Sequence, residues 1–426
     1  MTPSESSAFR PKPPVDFLSA GLAPAQIESL VLKFLLGVGV ATGRRVADEL
    51  GLPFGPFPDF LRNLKNQQIL TYSNAAAAND FSYSLTESGR ARARAYYDEC
   101  AYVGTAPVPF VDYVESVQAQ TIANEHPRRD ELERAFADLL VSESMFDTLG
   151  PAINSGRGMF LYGFPGNGKT SIAERITRCF GSSVWIPRAI SAEGQIIKLF
   201  DPVTHEPIST RRSDVLLRGE DVDGRWIEIK RPTIVAGGEL TMDSLEIRYD
   251  TATKISEAPL QMKSNNGTFL IDDFGRQRMS PLELLNRWIV PLEKRYDFLG
   301  LANGKKIRVP FDQLILFSTN LEPKQLVDEA FLRRIPYKIL AADPSEEHFR
   351  KLFEIFAPKL GFESFNEAAI DDLIERHYKA VGRPFRACQP RDLLLQVRNA
   401  CLYQGRPLEL RTDYFDAAVA NYFTVM

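Results

Sequence analysis

Three short stretches of this chain carry side chains that could do chemistry together. The first is GFPGNGKT, Gly163 to Thr170, which follows the apolar run Met159-Phe160-Leu161-Tyr162 and leads into Ile172, Ala173 and Ile176 at helical spacing. Strand, glycine-rich loop and helix in that order make a cradle for phosphate. Gly163, Gly166 and Gly168 let successive backbone N–H groups face phosphate oxygens, with the positive end of the helix behind them. Pro165, Asn167 and Ser171 belong to the same loop and helix start. Lys169 supplies a point charge for β and γ phosphates, and the Thr170 hydroxyl is a hard oxygen ligand for Mg²⁺. A glycine-rich turn without a ligand is the plain alternative; the flanking elements weigh against it.

The second stretch is TFLIDDFGR, residues 268 to 276, where an apolar run ends abruptly in two carboxylates. Phe269, Leu270 and Ile271 are the continuous apolar residues of a central parallel strand covered on both faces. Asp272 then emerges at the carboxyl end, where ligands bind in open α/β sheets. Its expected role is Mg²⁺ coordination through water, and Asp273 would orient or deprotonate an attacking water beside the γ-phosphate. Two acids capping a turn are the alternative. The third stretch, DQLILFSTN at 312 to 320, ends a similar strand with Asn320, which could bond that water or the γ-phosphate; Thr-Asn after an apolar run is also ordinary turn chemistry.

The elements that must hold these residues lie in a chain of 426 residues, long enough for two or three domains. Its 44% hydrophobic and 25% charged residues are ordinary for a globular protein. No apolar run reaches the eighteen or so residues of a membrane span. A net charge of -4 gives no global reason to bind nucleic acid. The four cysteines are scattered and the four histidines isolated, so neither disulfides nor a zinc site is expected. Residues 1–19, with Pro3, Pro11, Pro13 and Pro14, read as a flexible leader without a secretory signal, which points to a cytoplasmic location.

Residues 20–101 show helical spacing at Ile27, Leu30, Val31, Phe34 and Leu35, a helix from Thr42 as N-cap to Gly51, and a third helix with Phe60, Leu61 and Leu64. Two strand-like pieces and a helix bearing Arg90, Arg92 and Arg94 follow. That order resembles a winged helix-turn-helix, a small α+β domain. DNA contact through residues 20–100 is one use of it. Acids at Asp48, Glu49, Asp59 and Asp80 balance Arg44, Arg45, Arg62 and Lys65, so a protein-docking or oligomer-organising wing is the other. Residues 102–128, opening with Pro107 and Pro109, read as a linker.

From about residue 130 to 426 the chain resembles an AAA+ P-loop ATPase. GFPGNGKT is similar to that family's Walker A, FLIDD to its Walker B, STN to its first sensor, and DEAFLRR to the segment carrying arginine fingers. GRPFRACQPRDLLLQ resembles the third helix of the family's small lid domain. The resemblance implies an α/β P-loop sheet over 129–340, with a β-rich insertion at about 190–263, followed by a helical lid at 341–426. It implies ATP and Mg²⁺, a homo-oligomer that is often a hexameric ring, and remodelling of a protein partner. Arg333 and Arg334, with Arg334 favoured, would reach a neighbouring subunit's site, and Arg391 would contact the γ-phosphate as a second sensor. An exposed basic helix end and a helix-start surface arginine are their plain readings. Two other functions stay open: a DNA-associated motor or loader, and a slow-hydrolysing nucleotide switch.

Two features depart from the family. Asp273 stands where a glutamate is usual, which draws the carboxylate back by one methylene. About a hundred residues also separate Lys169 from Asp272. Within them, GRWIEIKRPTIVAGGELTMDSLEIRYD alternates apolar and polar residues on both sides of Gly237-Gly238, which predicts a β-hairpin. The insertion could handle substrate in a ring's channel or brace the surface, and it carries no evident aromatic-glycine pore motif.

Overall fold

In the computed structural model the chain is described over residues 9–75, 80–208, 222–327 and 329–424. It divides into two compact units. One comprises Met1–His126, Phe180–Phe269 and Arg278–Leu314; the other comprises Pro127–Cys179, Leu270–Gln277 and Ile315–Met426.

The sheet that positions the candidate site has five parallel strands in the order Thr233–Ala236, Thr268–Ile271, Leu314–Thr319, Met159–Tyr162, Tyr337–Leu340. Its central strands are buried along their whole lengths, because Phe269-Leu270-Ile271 and Leu314-Ile315-Leu316-Phe317 offer apolar side chains to both faces. With helices packed around it, this is an α/β fold built on a parallel sheet. The Met159–Tyr162 strand feeds the glycine-rich loop and then the Lys169–Thr177 helix, the expected order. The strand ending before Asp272 does not border it; the Asn320 strand lies between.

In the second unit the chain after the sheet is helical: Glu346–Lys359, Glu367–Ile374, Gln389–Gln404 and Thr412–Tyr422. They close on a core that includes Phe349, Phe353, Leu373, Leu393, Val397 and Phe415.

In the first unit, helices Pro24–Val38, Gly43–Leu50 and Phe57–Asn66 stand beside an antiparallel sheet of Val40–Thr42, Phe81–Leu85 and Leu70–Ala75. The Thr42 hydroxyl caps the second helix by accepting from the Arg45 N–H at 3.2 Å, and Gly51 ends it in the left-handed conformation.

Several expectations meet a different structure in this unit. The described part of the leader, residues 9–19, is held down: the Pro11 carbonyl accepts from the Asp223 N–H at 3.0 Å, and the Phe17 ring packs edge-on against Phe57 and Phe60. The segment read as a linker is folded. Val108–Pro109 pairs in parallel with Ile190 and Ser191, and the Phe110–Ala119 helix buries Tyr113 and Val117 in a core with Ile190, Ile197 and Leu299. Prolines suggested a linker there because they break helices, but Pro109 serves as the cap residue before that helix. No hairpin forms at Gly237-Gly238. Trp226–Lys230 pairs antiparallel with Ser183–Pro187, and Thr233–Ala236 joins the edge of the parallel sheet. Residues 209–221 of the expected insertion lie outside the described residues. Among the described residues, no helix is long and apolar enough to cross a membrane.

Candidate functional site

The glycine-rich loop is shaped by contacts that only glycine permits. Gly163 has φ 137°, and a Cβ there would lie 2.5 Å from the Ala341 carbonyl oxygen. Gly166 has φ 86°, and its Cβ would lie 2.4 Å from the Cys388 sulfur. Gly168 stands at the N-cap of the following helix in the left-handed conformation, with no side chain covering the helix's first amides. Those amides remain available to an anion.

Lys169 is buried and points back into the loop. Its Nζ donates to the carbonyls of Gly163 at 2.9 Å and Phe164 at 3.0 Å, and to Oδ1 of Asn320 at 2.7 Å. Burial pushes its pKa below the usual lysine value, against the opposing pull of the Asp272 and Asp273 carboxylates. Asn320 uses its other end as well: Nδ2 donates to Oδ1 of Asp273 at 3.1 Å. One carboxamide therefore bridges Lys169 and Asp273.

Thr170 donates its hydroxyl to Oδ2 of Asp272 at 2.8 Å. The other oxygen of Asp272 accepts the Asp273 N–H at 3.1 Å. A hydroxyl and a carboxylate side by side are the hard oxygen donors that Mg²⁺ takes when phosphate and water complete its shell, so these two residues fit the ion. Among the described residues, no three His, Cys, Asp or Glu side chains gather to form another metal site.

A cavity of about 670 Å³ unites these groups. Pro165, Gly166, Asn167, Gly168, Lys169, Thr170 and Ser171 line it together with Asp272, Asp273 and Asn320. Arg391 also lines it, from the start of the Gln389–Gln404 helix, with its guanidinium turned to Asp392 at 3.1 Å. Arg333 and Arg334 end the Glu329–Arg334 helix and are not among the lining residues; Arg333 is exposed, and the Arg334 guanidinium sits 5.8 Å from the Phe331 ring.

Further contacts at the loop were not singled out from sequence. Asn167 reaches away from the cradle: its Nδ2 donates to the Ala341 carbonyl at 3.2 Å and to Asp343 at 2.7 Å, while its Oδ1 accepts from the Ala387 N–H at 3.3 Å. Arg386 pairs with Asp343 and lies 4.1 Å from the centre of the Phe164 ring. The loop is thus tied to the segments at 341–343 and 386–388. No spacing signal announces this, because the partners Ala341 and Ala387 are 174 and 220 residues from Asn167.

A family model described as a domain of unknown function (DUF8689) matches residues 345–421, within the C-terminal helices. No curated protein matches the chain. NtrX from Brucella abortus is similar in structure at 14% identity and a TM-score of 0.43, over 69% of this chain and 59% of that one. A mutant of RuvB from Thermotoga maritima is similar at 11% identity and a TM-score of 0.41, over 68% of this chain and 72% of that one. A complex of the BchI and BchD subunits of magnesium chelatase gives 12% identity and a TM-score of 0.32, over 71% and 95%.

Proposed function

We propose that this chain is an AAA+ ATPase that binds ATP with Mg²⁺ in the 163–171 loop, hydrolyses it, and uses the change to remodel a protein partner as a ring oligomer. The observation that carries the reading is one connected set of polar contacts: Thr170 to Asp272 at 2.8 Å, and Lys169 through Asn320 to Asp273 at 2.7 and 3.1 Å. A phosphate-reading loop, an oxygen pair for a divalent ion and a base beside both are what phosphoryl transfer to water requires.

In this reading Lys169 exchanges its carbonyl partners for the β and γ phosphates, and the loop amides hold the remaining oxygens. Mg²⁺, held by Thr170 and Asp272, would neutralise phosphate charge. Asp273 accepts a proton from water as the water oxygen bonds to the γ phosphorus and the bond to the departing ADP oxygen breaks. Asn320 orients Asp273 and relates its position to that of Lys169. Arg391 has to swing from Asp392 to meet the γ-phosphate. Arg333 and Arg334, away from this chain's own cavity, serve a neighbouring subunit's site. Residues 20–101 have the element order of a winged helix, here read as the docking module for a partner. That same order favours a second reading, a DNA-associated motor, and salt-sensitive binding of duplex DNA by the full chain would support it.

The test is ATP hydrolysis by purified protein and by Asp273→Asn. Hydrolysis is expected to fall on the order of 10²- to 10³-fold with nucleotide binding retained. An equal rate in the two proteins would sink the assignment of the base. Mixing Lys169→Ala with Arg334→Ala subunits addresses the ring, since mixed assemblies regain activity only when fingers act across an interface.

A further inference from the structure

Asp273 has an unusual backbone: φ is 49°, in the left-handed region that few residues with a side chain adopt. Asparagine and aspartate enter that region more readily than longer side chains, so a left-handed turn here favours aspartate over glutamate. The turn is pinned on one side by Phe274. Its ring is buried against Phe317 at 4.9 Å and Phe160 at 6.0 Å, and its N–H donates to the Ser318 carbonyl at 2.7 Å.

On the other side the turn is held by one side chain. Gln277 donates Nε2 to the carbonyls of Asp272 at 2.8 Å and Asp273 at 3.2 Å, while its Oε1 accepts from the Gly275 N–H at 2.8 Å. The amide can face only one way, because reversing it would set oxygen against two carbonyls and nitrogen against an N–H. The Gly275 N–H and the Asp272 carbonyl are thereby satisfied by this carboxamide, and the Asp273 carbonyl by it together with the Arg276 N–H at 2.9 Å. Gln277 does not line the nucleotide cavity, so it acts on the site only through this backbone.

We propose that Gln277 is a positioning residue that fixes the Asp272–Asp273 backbone so that a base one methylene shorter than glutamate meets the attacking water. This rests on the reading of Asp273 as the base. Holding both carbonyls fixes the peptide planes on either side of the Asp273 Cα, and with them the direction of its short side chain. Asn320 then has to steady only the carboxylate itself. A displacement of about an ångström at a reacting group can cost on the order of 100-fold in rate, so a clamp on this backbone has a catalytic effect without touching substrate.

The experiment measures kcat, KM, nucleotide affinity and melting temperature for the full chain and its Gln277→Ala, Gln277→Glu, Asp273→Asn, Asp273→Glu and Gln277→Ala/Asp273→Glu variants. Gln277→Ala is expected to lower kcat about 10- to 100-fold with KM and nucleotide affinity within about twofold. Gln277→Glu keeps the acceptor for the Gly275 N–H but loses both donors, and is expected to lose at least as much. Asp273→Glu in the native background is expected to be slow, since the clamped turn disfavours the longer residue. In the Gln277→Ala background the same change should recover part of the lost kcat, because a relaxed turn can use the extra reach.

Wild-type kcat in both Gln277 variants, with Asp273→Asn inactive, overturns this inference and leaves the base assignment standing. A fall in kcat that merely tracks lost nucleotide affinity or a lowered melting temperature, with no recovery in the double variant, reduces Gln277 to a structural turn residue and also overturns it. Asp273→Asn hydrolysing at the wild-type rate is the separate failure of the base reading, on which this inference would fall as well.

Discussion

Thr170 and Asp272 are 102 residues apart in the chain and meet at 2.8 Å, hydroxyl on carboxylate. The contact joins the first turn of the Lys169–Thr177 helix to the carboxyl end of the Thr268–Ile271 strand. Replacing either group removes one hard oxygen from a site where few are available. Thr170→Ala is expected to lower kcat/KM for ATP on the order of 100-fold and to raise the Mg²⁺ concentration needed for half-maximal rate. Thr170→Ser, which keeps the oxygen, should stay within about tenfold. A Mg²⁺ titration of hydrolysis rate checks this; identical Mg²⁺ dependence in all three proteins would remove Thr170 from the metal site.

Lys169 makes stability depend on pH in a defined direction. Burial holds its folded pKa below the value of about 10.4 that it has in an unfolded chain. Between those two values the unfolded chain binds the extra proton, so stability rises with pH across that window and the full penalty is present below the folded value. Lys169→Met keeps the length of the side chain and abolishes the titration. It is expected to melt a few degrees higher than the wild type near neutral pH, with the difference shrinking as pH approaches about 10.4. Thermal melts of both proteins from about pH 7 to about 10.4 test this, and a constant difference would mean that the ammonium's burial is not the cause.

What the sequence made legible follows from how locally each feature is encoded. GFPGNGKT carries its own strand, loop and helix within about twenty residues, so the strand Met159–Tyr162 and the helix Lys169–Thr177 form where that order predicts them, and residues 165–171 line one cavity. Asp272 could be placed at a strand end because three apolar residues in a row end at a carboxylate, the pattern of a strand buried on both faces, and Thr268–Ile271 is such a strand. Strand partners were less legible. The alternation around Gly237-Gly238 fits a hairpin as well as it fits two strands in different sheets, since strand preference records a half-buried face and not the identity of a neighbour. The contacts of Asn167, Arg386 and Gln277 were invisible for a related reason. A carboxamide that satisfies backbone groups leaves no periodic signature, and Asn167 meets Ala341 and Ala387 at separations of 174 and 220 residues.

Gly166 allows two effects to be separated in one experiment. Its φ is 86°, and an added Cβ would approach the Cys388 sulfur to 2.4 Å, so Gly166→Ala is strained both in its own backbone and against a neighbour. The backbone part costs about 1–3 kcal/mol, and the clash adds a comparable amount. Cys388→Ala removes the sulfur and with it only the second cost. The double variant is therefore expected to regain about half of the melting temperature lost by Gly166→Ala, which signals coupling between residues in contact. Nucleotide binding should behave differently. Relieving the clash leaves the left-handed Gly166 backbone, on which a close wrap of the loop round phosphate would depend, disfavoured for alanine. Affinity for a fluorescent ATP analogue is accordingly expected to fall by about tenfold or more in Gly166→Ala and to remain low in the double variant. Recovery of affinity alongside stability would show that the sulfur contact, and not the left-handed backbone, limits the loop.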